Sequence, residues 1–176
     1  MRRRMIGRIS GAACAAMLSL AVFAAPAGAI DIRRVVSDSG IAAWFVPDKS
    51  VPLLAISFAF RGAGSATDPA GREGLAEMTA ALLDEGAGTL ESQAFHREAE
   101  KIAMQMSFDA SSDNFSGRMV TLSAERDRAF ELLRIALTEP RFDAEPVERV
   151  RGQILAGLRQ DLENPNYIGR RLWENT

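Results

Sequence analysis

Asp68-Pro69-Ala70-Gly71-Arg72-Glu73-Gly74-Leu75-Ala76-Glu77-Met78-Thr79-Ala80-Ala81-Leu82-Leu83 carries a turn and then a helix in one continuous run. Asp, Pro and Gly in its first four positions favour a turn, each for a different backbone reason. Leu75, Met78, Thr79, Leu82 and Leu83 then recur at the spacing of one helix face, and Gly86 and Gly88 supply the stop. Upstream, residues 51–60 place Leu53, Leu54, Ile56, Phe58 and Phe60 on both parities. That pattern reads as a central strand with both faces partly covered, ending in Arg61-Gly62-Ala63-Gly64-Ser65. Before it, residues 32–36 and 41–46 are β-rich runs joined by Ser37-Asp38-Ser39-Gly40, which is a hairpin pattern.

Downstream, a second helix is expected at once. Thr89 or Ser92 is its candidate cap, and Phe95, Ala99, Ile102 and Met106 form its inner face. Residues 106–110 and 118–122 alternate apolar with polar around Asp113-Asn114, a second antiparallel pair. Two longer helices follow. The first spans 125–138 with Phe130, Leu133 and Leu137 inward and ends before Pro140. The second starts near Pro146 with Val150, Ile154, Leu158 and Leu162 inward, is interrupted at Asn164-Pro165-Asn166, and is followed by a helical turn over 167–173. Strands, two helices, two strands and two helices make an α+β pattern, an antiparallel sheet with helices packed on one face. The pattern stops at Leu172-Trp173-Glu174-Asn175-Thr176 with no cap or polar tail, as expected of a truncated domain.

The 176 residues include 21 Lys and Arg, 23 Asp and Glu, a single cysteine (Cys14) and a single histidine (His96). Arg2, Arg3 and Arg4 precede an apolar run from about Gly11 to Ala25, and Ala27-Gly28-Ala29 places small residues at a cleavage point. Residues 1–29 are therefore expected to be a secretory signal peptide, the apolar run being too short to span a membrane. Without them, 147 residues carry 17 basic and 23 acidic side chains, a net charge of −6. That sign argues against a nucleic-acid partner. The expected destination is outside the cytoplasm, a bacterial periplasm or the extracellular space, with no membrane association once the signal is removed. The mature chain then has no cysteine and is held by packing alone.

Several short matches run in order along residues 30–176. They are the strand pair before Pro47, the exit from Phe58 to Gly64, the quoted stretch as far as Ala76, Gly86-Ala87-Gly88-Thr89, Glu139-Pro140-Arg141-Phe142, Arg151-Gly152-Gln153-Ile154-Leu155, and Asn164-Pro165. Together they resemble the amino-terminal domain of the pitrilysin/insulinase (M16) family of zinc metallopeptidases, which includes the mitochondrial processing peptidase subunits. The resemblance implies the mitochondrial processing peptidase/LuxS-like metallohydrolase fold, with residues 30–176 an incomplete amino-terminal domain.

In active members the Gly-Leu-Ala stretch runs into H-x-x-E-H, two zinc-binding imidazoles and a general-base Glu on one helix face. The corresponding positions here are Glu77, Ala80 and Ala81, and the position of the third, downstream ligand falls at Ala156-Gly157. Gly157 has no side chain to offer. Independently of the family, a catalytic zinc site needs three protein ligands, usually His-rich, and the mature chain has His96 alone and no Cys. No cofactor is expected in this chain. Zinc is expected in a partner.

Other candidates have simpler readings. His96 and Glu100 stand one turn apart, which fits a solvated helix face. Glu73 and Glu77, with Asp84-Glu85 after them, fit acids near a helix start better than a cation site. Ser65, Ser111, Ser112 and Ser123 lack a nearby base, and Gly62, Gly64, Gly71 and Gly74 form no phosphate-binding motif.

The first expectation is thus a non-catalytic, substrate-enclosing subunit of a secreted or periplasmic M16-type protease. It would pair as a heterodimer with an H-x-x-E-H subunit and face unfolded peptides through Glu77, Ala80 and Ala81. The alternatives are part of a zinc endopeptidase with its active motif elsewhere in the full chain, and a stand-alone peptide-binding module using a sheet edge.

Overall fold

The structure, a computed structural model, describes residues 30–174. The expected signal peptide lies outside the described residues. The chain divides into two units between Ser50 and Val51.

In the first unit, β1 (Arg33–Val36) and β2 (Ala42–Phe45) form an antiparallel hairpin in the register Arg33↔Phe45 to Val36↔Ala42. Its turn closes as expected: the Ser37 amide donates to Ile41 O at 2.9 Å and Gly40 takes φ 86°. Every residue of both strands is exposed.

The second unit is built on the antiparallel sheet β3 (Leu53–Arg61), β7 (Asn114–Leu122) and β6 (Gln105–Ala110), in that order. Here the structure corrects the expectation for residues 51–60. The central strand is β7, and β3 lies at an edge. Of the β3 residues facing away from the helices, Leu53, Ala55, Ser57 and Ala59, only one is large, and all four are exposed. On the inner face, Leu54, Ile56 and Phe58 lie opposite Thr121, Met119 and Gly117, and Met106 and Phe108 flank Met119 and Gly117 from the other side. Gly117 is there for space: a Cβ on it would sit 2.3 Å from Cζ of Phe58. The rings of Phe58 and Phe108 meet edge-on at 6.5 Å. Among the described residues the one buried polar side chain, Thr121, is satisfied by donating to Ile102 O at 3.0 Å.

Helices α1 (Leu75–Ala80), α2 (Ser92–Lys101), α3 (Arg126–Thr138), α4 (Ala144–Glu163) and α5 (Pro165–Glu174) complete the unit. The core joins Phe95, Ile102 and Met104 around α2 to Met119 of β7 and Ala129, Leu132, Leu133 and Ala136 of α3. A short ladder, β4 (Gly86–Ala87) with β5 (Leu90–Glu91), links α1 to α2.

Helix ends and faces differ from expectation in several places. The first helix stops at Ala80, and Leu82 and Leu83 are buried in the turns that follow, leaving Gly86 and Gly88 to shape the ladder. The second stops at Lys101. Ala103 turns left-handed at φ 48°, so Met106 falls on β6. Neither Thr89 nor Ser92 caps α2. Its cap position is Glu91, and the Ser92 hydroxyl donates to Glu85 Oε2 instead. Phe130 is 43% exposed because the small Ala129 and Ala136, with Leu132 and Leu133, fill the inner face of α3. On α4 only Pro146 and Val150 are buried, while Leu158 and Leu162 are 48% and 59% exposed. Among the described residues no helix is long and apolar enough to cross a membrane.

Candidate functional site

The loop before α1 is held by its own acids. Asp68 Oδ2 accepts from the Gly74 amide at 2.8 Å and Oδ1 from the Ala76 amide at 3.0 Å. Glu73 accepts from the Gly71 amide at 2.9 Å, a bond that keeps its carboxyl below the ordinary value. Gly74, the cap residue, takes φ 90°, a left-handed conformation that suits glycine. These contacts explain the spacing of Asp, Gly and Glu in the quoted stretch and fix where α1 begins.

Helix α1 then presents the three motif positions differently. Glu77 is exposed and Ala81 half-buried. Ala80 is 4% exposed and packs with Leu83 and Phe115, against Phe108, Ala110 and Leu137. Of the three, Ala80 is part of the core, with Glu77 left on the surface. Gly157 lies in the exposed stretch of α4, with no atom within 4 Å of where a Cβ would stand.

These four positions do not fit zinc. Two alanine methyls and a glycine offer no lone pair, which leaves Glu77 as the sole donor where a zinc site needs three protein ligands. Among the described residues, no three His, Cys, Asp or Glu side chains are grouped so as to hold a metal.

Of the other candidates, His96 lies within electrostatic reach of Asp84 and Glu85 and favours their ionised forms. His96 and Glu100 are exposed on α2, and no hydrogen bond or ion pair joins them. The Ser65 and Ser111 hydroxyls donate to backbone carbonyls, of Ser111 and Asn114 respectively. What sequence reasoning missed is the junction at Glu85. Its Oε2 accepts from Ser92 Oγ at 2.6 Å and from Arg149 Nη2 at 2.5 Å, tying the turn after α1 to α2 and α4. Burial pushes the Glu85 carboxyl up, but the Ser92 and Arg149 bonds outweigh it and hold it below its ordinary value. The adjacent Asp84 carboxyl is raised by burial. Arg149 lies 64 residues from Glu85, so no local spacing announces the contact.

The family model for insulinase (peptidase family M16) matches residues 59–172. The chain belongs to the M16 family. Among its M16-like relatives is the "non-peptidase homolog YmxG" of Helicobacter pylori (strain ATCC 700392 / 26695). That protein is 31% identical over 120 residues, which cover 68% of this chain and 28% of the relative. A solved M16 inactive domain from Pseudomonas fluorescens superposes with a TM-score of 0.71 at 25% identity, covering 79% of this chain and 34% of that one. Pitrilysin matches with a TM-score of 0.62 at 18% identity over 76% of this chain and 14% of its own. A Helicobacter pylori protease matches at 0.59 and 19%, over 75% and 31%. The M16 chain described here thus spans about a quarter to a third of the curated relative and of the first solved structure. The last two likenesses establish the fold, an α+β arrangement of M16 type.

Proposed function

We propose that this M16 chain is a non-catalytic unit that acts beside an H-x-x-E-H-bearing M16 subunit, enclosing unfolded peptides while the partner breaks the bond. The carrying observation is the donor set: Glu77, Ala80, Ala81 and Gly157 hold one donor between them, and Ala80 is packed into the core. The names of two similar proteins, a non-peptidase homologue and an inactive domain, support the same reading. The contribution of such a unit is positioning, since holding a peptide in a reactive geometry lowers the entropic part of the barrier for the partner's chemistry. Secretion into a bacterial periplasm by a cleaved leader over residues 1–29 is part of the proposal, supported by the leader's Arg-led, Ala-ended pattern.

The test is affinity capture of the full-length mature protein from its own periplasm, with zinc analysis and a peptidase assay on the complex and on the separated chain. The expected result is a zinc-bearing H-x-x-E-H partner and activity confined to the complex. Zinc and hydrolysis from the chain alone would overturn the reading. Peptide binding without any protease partner would favour a stand-alone binding module.

A further inference from the structure

We draw no further inference here: the strongest candidate, the unpaired edge of β3 with its exposed Leu53, Ala55, Ala59 and Phe60, carries nothing because no feature of the described structure shows what covers it.

Discussion

Gly117 shows how narrowly one residue sets the sheet's inner face. The ring of Phe58 lies across it, so Gly117→Ala forces either the ring or the central strand to move. An overpacked core of this kind loses roughly 1–3 kcal/mol, and urea unfolding of the variant checks that loss. At the Glu85 junction the two neighbouring acids pull in opposite directions. The folded Glu85 carboxyl is held below its ordinary 4.5, so its stabilisation is present above that pH and is lost as pH falls through the folded value. Asp84 is held above its ordinary 3.8, so it destabilises the folded chain at neutral pH, and the penalty fades as pH falls through its folded value. Asp84→Asn is therefore expected to raise the thermal midpoint at pH 7 by a few degrees at most, with the gain vanishing towards pH 3.8. A midpoint unchanged or lowered at pH 7 would contradict this. The Asp68 loop was legible because its bonds are local. The burial of Ala80 was not, because the side it shows to Phe115 depends on a strand that follows much later in the chain.

Elements were legible where punctuation is local and obscure where it is tertiary. The hairpin turn at Ser37-Asp38-Ser39-Gly40 and the stop before Pro140 both carry their own backbone chemistry. The end of α2 carries none: an alanine, Ala103, occupies the left-handed position that glycine usually marks, held by the Met104 amide donating to Ala99 O at 2.9 Å. Helix α4 misled in another way, since its apolar period runs on well past the part that is buried. Val150 is 4% exposed and Leu158 is 48% exposed, and their substitution should separate the two halves. Val150→Ala should cost about 2 kcal/mol and Leu158→Gln less than about 0.5 kcal/mol in chemical denaturation of the full-length mature protein. The start of α4 is also atypical. Its cap residue Asp143 makes no cap bond because both its oxygens accept from Arg141, at 2.7 and 3.2 Å.

At the scale of the whole molecule, the M16 assignment was legible from the order of several weak matches. The proposed division of labour between subunits rests on positions where side-chain donors are missing. The described chain also exposes many large apolar residues: Ile32, Val36, Ile41 and Trp44 in the first unit, Leu155, Leu158, Leu162 and Trp173 on the last helices. Both edge strands of the main sheet, β3 and β6, lack a further neighbour among the described residues. Such surfaces associate in water, so residues 30–176 purified alone should elute as mixed oligomers in size-exclusion chromatography. A monodisperse sample with one sharp thermal transition would sink that expectation. The central place of β7 also sets an order of events in time. With β6 it closes over the short turn Ser111-Ser112-Asp113, whereas with β3 it must close a loop holding α1, α2 and the β4–β5 ladder. Short loops close quickly and long ones late. The β6–β7 hairpin is therefore expected to form first, and β3, the first of the three main-sheet strands to be synthesised, to join it last. Substitutions in the β6–β7 turn should slow refolding, while those in β3 should mainly hasten unfolding.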